Sequence, residues 1–142
     1  MKVTQIYLAS PFFNETELKA VAEAEKILRD RGYTVYSPRE HEYRGAEAGT
    51  TEWADAIFYE DVGAINDSSH VVVLYHGNYS DSGTAWECGY AFAQSKALVA
   101  VILGGDANLM VHRCVSACIS MDDLRTYNFE RMPENEYTGP ML

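Results

Sequence analysis

Val71-Val72-Val73-Leu74-Tyr75 is an unbroken apolar run, the pattern of a strand covered on both faces. After it, His76 to Gly83 is rich in Gly, Asn, Ser and Asp and reads as a loop, and Thr84 to Gln94 reads as a helix. Ala97 to Leu103 is a second buried strand, broken by Gly104-Gly105. Strand, loop, helix, strand is the unit that builds a parallel sheet, since parallel neighbours need a crossover connection.

The same alternation extends in both directions. Upstream, Val3 to Ala9 alternates around Ile6 and Leu8 and meets Ser10-Pro11, as a first strand would. Asn14 is placed to cap a helix with Glu17 in capping-box register; Leu18, Val21, Ala24 and Leu28 repeat at helical spacing, and Gly32 marks the stop. Tyr33 to Tyr36 is a short strand ended by Pro38, and Arg39 to Gly49 is a polar loop. Trp53, Ile57, Phe58, Val62 and Ile65 mark one face of the helix that leads into the central run. Downstream come a helical turn from about Leu109, a short strand near Cys118 to Met121, a helical turn through Leu124 and a polar tail. The expected fold is α/β: one domain over residues 1–142, a flavodoxin-like doubly wound five-stranded parallel sheet in the order 2-1-3-4-5. Ligands of such sheets sit beyond the carboxyl ends of the strands where the order reverses, here beside the loops after Ala9 and Tyr75.

Composition narrows the function. The 142 residues are 47% hydrophobic and 23% charged, which excludes disorder and a collagen-like repeat. No apolar run approaches the roughly 20 residues of a spanning helix, and Met1 to Ala9 reads as a strand, so a cytoplasmic protein without membrane contact is expected. Eleven Lys and Arg against 21 Asp and Glu give a net charge of −10, which repels nucleic-acid backbones and favours a small neutral substrate. Cys88, Cys114 and Cys118 are an odd number and read as reduced thiols. Cys114 and Cys118 near His112 match no zinc spacing and read as small buried residues on a helix face; no metal and no cofactor is expected.

The segment Asp81-Ser82-Gly83-Thr84-Ala85-Trp86-Glu87-Cys88-Gly89-Tyr90 puts two carboxylates at the mouth of the expected cleft, an arrangement suited to glycosyl chemistry. A Glu87 in the first helical turn would be held anionic by the helix N-terminus and able to attack an oxocarbenium carbon, with Asp81 exchanging a proton with the leaving group. Acids in first turns also occur for dipole reasons alone. Phe12 and Phe13 suit the walls of a site for a planar base, or equally a staple for the first helix; Tyr7 is a site hydroxyl or an ordinary strand tyrosine. Neither the dinucleotide fingerprint nor the Walker loop is present.

With Ile6-Tyr7-Leu8-Ala9-Ser10-Pro11-Phe12-Phe13, the segment from Asp81 to Tyr90 and Asn108-Leu109-Met110 in order, the chain resembles the nucleoside 2-deoxyribosyltransferases over nearly its whole length. The resemblance implies an enzyme that moves a 2-deoxyribosyl group from a 2'-deoxynucleoside to a free purine or pyrimidine base, through a covalent ester and with retention. It implies Glu87 as nucleophile, Asp81 and Asp61 as acids that bind and protonate the base, and Tyr7 as the hydroxyl that positions Glu87. Asn108 and Met110 match residues that a neighbouring subunit lends to the site, in an oligomer expected to be a hexamer built as a trimer of dimers, and the carboxylate of Leu142 would help to hold the sugar. Asn108 is also a good helix cap.

Two other readings bring different requirements. A 2'-deoxynucleoside 5'-monophosphate N-glycosidase needs donors for a phosphate, and Arg39 is the nearby candidate beside the uncharged Pro11-Phe12-Phe13. A non-catalytic receiver-like module needs an acidic cluster after the first strand and a phosphoacceptor Asp ending the third, where Ala9-Ser10 and Tyr75-His76 stand.

Overall fold

A computed structural model describes residues 1–77 and 81–141 of the chain. The elements run β1 (Ile6–Ala9), α1 (Glu15–Asp30), β2 (Val35–Tyr36), a 3-10 turn (Pro38–Glu40), α2 (Thr51–Asp67), β3 (His70–Tyr75), α3 (Ser82–Ala93), β4 (Ala97–Ile102), α4 (Leu109–Cys114), β5 (Ala117–Ile119) and a second 3-10 turn (Asp122–Arg125). All strand pairs are parallel and the order is β2-β1-β3-β4-β5, as the sequence predicts. No helix among the described residues is long and apolar enough to cross a membrane.

Alternation along each strand divides the core in two. Ile6, Leu8, Val72, Leu74, Val99 and Val101 pack with Val21 and Leu28 of α1 and with Leu124 and Phe129 of the C-terminal segment. Tyr7, Ala9, Val71, Val73 and Tyr75 face the other way, against Ile65 of α2, Cys88 and Ala91 of α3, and Val111 of α4. Tyr7 therefore lies on the face covered by the helices that carry the candidate acids.

Local chemistry sets several boundaries. The Asn14 side chain accepts from the Glu17 amide at 2.9 Å, while Glu17 reaches back to the Phe13 amide, one residue earlier than in the ideal capping box. Gly32 follows α1 with φ +88, a conformation that favours glycine. The first strand starts at Ile6 instead of Val3, because its pairing with β2 and β3 begins there. Leu18 lies outside the buried stripe of α1 and is exposed. Cys114 and Cys118 do not share a helix face: Cys114 ends α4 and Cys118 belongs to β5. All three cysteines are free, and the Cys88 and Cys114 thiols meet at 2.9 Å between α3 and α4.

Beyond the sheet, the loop after β4 passes so close to the loop after β3 that a Cβ on Gly104 would sit 2.1 Å from the His76 carbonyl oxygen. Only glycine fits there without moving the backbone. The two loops that follow the central strands thus approach backbone to backbone at this point.

Candidate active site

The third helix begins earlier than the sequence suggests. Asp81 is its N-cap, with carboxylate oxygens accepting from the amides of Gly83 (3.2 Å) and Thr84 (2.9 Å) and from the Thr84 hydroxyl (2.9 Å). Glu87 consequently sits in the second turn, and no acid lies in the first. The N-terminal dipole, whose influence fades beyond the first turn, is not what controls Glu87.

Burial controls it instead. The Glu87 carboxyl is pushed up to about 8, chiefly by loss of solvation and further by the charges of Asp61 and Asp81, while the hydrogen bond from Tyr7 pulls it down. Tyr7 has no exposed surface, and its hydroxyl donates to Glu87 Oε2. Burial and the charges of Glu87 and Asp61 hold the Tyr7 phenol well above its ordinary range, so it stays a donor. Asp61, on α2, is raised to about 6 by burial and by neighbouring Glu60, against opposing contributions from Tyr36 and His41.

A cavity of about 530 Å³ joins Glu87 to Asp61. Asp61, Asp81 and Glu87 are its acids, and Phe12, Phe13, Trp53, Ile57, Phe58 and Trp86 contribute apolar wall. Phe12 and Phe13 are stacked (centroids 5.9 Å, 12° between planes) and exposed, at 38% and 77%; they line the cavity instead of stapling α1 into the core. Sequence spacing marks Trp53 and Ile57 only as helix-face residues; aromatic residues on the face of a helix preceding the central strand are the available signal.

Asn108 and Met110 lie elsewhere. With Phe92, Arg113 and Asp81 they line a second groove of about 630 Å³ between α3 and α4. Asn108 caps α4 by accepting from the Met110 amide at 2.9 Å, and Met110 is 73% exposed. Within one chain the structure does not bring them to the wall of the Glu87 cavity. Leu142 lies outside the described residues. Arg39 gives its guanidinium to both oxygens of buried Glu25, which also accepts from Ser37. It is thus engaged away from any phosphate.

This geometry meets the chain's relatives. The family model described as nucleoside 2-deoxyribosyltransferase matches residues 6–122. A solved structure of the 2-deoxyribosyltransferase from the psychrotolerant bacterium Bacillus psychrosaccharolyticus is 38% identical, with a TM-score of 0.88 over 94% of this chain and 99% of that one. The nucleoside deoxyribosyltransferase of Limosilactobacillus fermentum is 29% identical, the match covering 89% of this chain and 86% of the relative. That of Lactobacillus johnsonii is also 29% identical, over 90% of this chain and 96% of the relative.

Proposed function

Because the chain belongs to the nucleoside 2-deoxyribosyltransferase family, we propose that it exchanges the base of a 2'-deoxynucleoside for a free purine or pyrimidine through a covalent ester on Glu87, with retention of configuration. The observation that carries this reading is Glu87 itself: a half-buried carboxyl at an apolar cavity, bonded by a tyrosine hydroxyl and accompanied by two further acids.

In the first displacement a Glu87 oxygen attacks C1' of the sugar as the C1'–N bond to the base breaks, and the departing ring nitrogen takes a proton. Asp61 is the better donor for that proton, because burial holds it partly protonated near neutrality. Asp81 spends its carboxylate on the α3 cap, which fixes it beside the cavity as a group that binds the base. In the second displacement an incoming base attacks C1' from the opposite face, the ester bond breaks, and the proton of the incoming ring nitrogen returns to Asp61. Two inversions give retention. Glu87 leaves water with little to solvate it, so its ionised form is a strong nucleophile, and the Tyr7 hydroxyl keeps one of its oxygens in place. Phe12, Phe13, Trp53, Phe58 and Trp86 exclude water while the ester waits for its acceptor.

The groove holding Asn108 and Met110 belongs to the same reading. We take it as the seat of a second copy of the chain, which places those two residues at its neighbour's sugar in a closed hexamer. Exposed Phe92, Leu109 and Met110 give that contact its apolar area.

Incubation with deoxyinosine and adenine, and separately with thymidine and adenine, should yield deoxyadenosine together with hypoxanthine or thymine. With donor alone, intact mass spectrometry should find one 2-deoxyribosyl group on the chain, and Glu87→Ala should abolish both results. An adduct on another residue, or exchange surviving in Glu87→Ala, refutes the assignment.

A further inference from the structure

One aromatic side chain beside the cavity has no part in the scheme above. Tyr36 ends the edge strand β2 and lies in register with Tyr7. Parallel pairing brings the two rings face to face, with centroids 5.6 Å apart and 10° between planes. The His41 ring also stacks on Tyr36, at 4.1 Å between centroids and 10° from parallel. Stacked in this way, the ring has little freedom to swing.

The stacking sets where the hydroxyl goes. It reaches Asp61 Oδ1 at 3.5 Å, while His41 Nδ1 stands 3.5 Å from Oε1 of the adjacent Glu60. A phenylalanine would stack equally well, so the stack alone gives no reason for a hydroxyl here. Burial and the charges of Asp61 and Glu60 keep the phenol protonated, hence a donor. At 3.5 Å the contact is long for O–H···O, so it is a weak directing interaction. It engages Oδ1.

We propose that Tyr36 is a positioning residue: with its ring stacked on Tyr7 and His41, its hydroxyl orients the Asp61 carboxylate toward the base of the nucleoside. The proposal rests on the reading of Asp61 as the acid that meets the base. It makes the two tyrosines a matched pair, one serving the carboxylate that attacks the sugar and the other the carboxylate that receives the base.

Tyr36→Phe keeps the stack and removes only the hydroxyl, and Trp53 and Trp86 in the cavity wall report base binding by fluorescence quenching. Adenine binding and deoxyinosine–adenine exchange are measured in wild type, Tyr36→Phe, Asp61→Asn and the double variant. The expected result for Tyr36→Phe is an increase of about fivefold in the adenine Kd and a fall of similar size in kcat/KM for exchange, the scale of one lost hydrogen bond. In the Asp61→Asn background the same change should add nothing to the Kd. If Asp61→Asn weakens adenine binding and Tyr36→Phe does not, the positioning role is overturned while the role of Asp61 stands. If Asp61→Asn leaves binding and exchange unchanged, the reading of Asp61 falls and takes the proposal with it. Full additivity in the double variant also overturns it, since Tyr36 would then act other than through Asp61.

Discussion

Tyr7 and Glu87 lie 80 residues apart in sequence and share one hydrogen bond across the interface between β1 and α3. The bond joins a strand with no exposed side chain to the helix that carries the cavity's most perturbed acid. It directs one oxygen of Glu87 and opposes the desolvation that would keep the carboxyl neutral.

From this follows a pH dependence. The proposed chemistry needs Glu87 ionised and Asp61 protonated, yet Glu87 lies at about 8 and Asp61 at about 6. The reactive form is therefore a minority, on the order of one per cent between those values. For deoxyinosine, kcat/KM should rise up to pH about 6, stay level, and fall above about 8, where Asp61 continues to lose its proton and Glu87 has no more to lose. Tyr7→Phe removes a hydrogen bond that lowers Glu87, so the upper limb should move to higher pH. A profile that climbs through pH 8 without falling excludes this assignment of roles.

Glu87 should also make the wild-type protein less stable in alkali. Its folded value of about 8 exceeds the ordinary 4.5, so between these pH values the unfolded chain gives up the proton first. Stability from this group is complete below 4.5 and is lost as pH rises through about 8. Glu87→Gln has no such proton and should be the more stable protein at pH 8, the two converging in acid. The shift sets an upper limit of roughly 5 kcal/mol, and a gain of about 2 kcal/mol would raise Tm by ~6 °C. Equal melting temperatures at pH 8 would show that Glu87 is not buried at its expense.

For Asp81, cap and charge separate cleanly. Asp81→Ala loses the three bonds at the start of α3 and should destabilise the fold by about 1–2 kcal/mol. Asp81→Asn keeps a good cap and should melt near wild type, but exchange at least about tenfold more slowly, a barrier increase of roughly 1.4 kcal/mol. Thermal melts beside exchange assays decide between them. Full activity in Asp81→Asn would confine this residue to the cap.

Complementation tests the lent residues. Glu87→Ala and Asn108→Ala should each be inactive, and activity should return when they are mixed after mild dissociation and reassembly, because some interfaces then pair an intact Glu87 with an intact Asn108. Subunit exchange demonstrated by mass labelling, without recovery, would count against a shared site.

Most of the fold was legible in the sequence because buried parallel strands announce themselves: Val71 to Tyr75 and Ala97 to Ile102 are apolar on both faces, the crossovers between strands make the sheet parallel, and the flavodoxin-like order chosen for it is the order found. What the site lost in reading came from side-chain direction. Asp81, Ser82 and Thr84 are all acceptable caps, and choosing among them moves Glu87 from the first turn to the second. Tyr36 reads as an ordinary strand residue until its register with Tyr7 is known. Trp53 and Ile57 show helical spacing, but spacing alone does not tell the cavity wall from the core. Asn108 and Met110 stood out by their motif, although within a single chain they face a different groove.

Strand order also has a consequence for the chain as it is made. The first strand lies between β2 and β3 and is made before both, so it finds β2 after one helix and then waits through α2 for its second neighbour. Until His70–Tyr75 has emerged, one edge of Ile6–Ala9 has no hydrogen-bonding partner, and Tyr7 lacks its neighbours from β3 and α3. An unpaired apolar edge is a template for pairing with other chains. Interrupted translation or truncation anywhere in α2 would thus leave an aggregation-prone nascent segment.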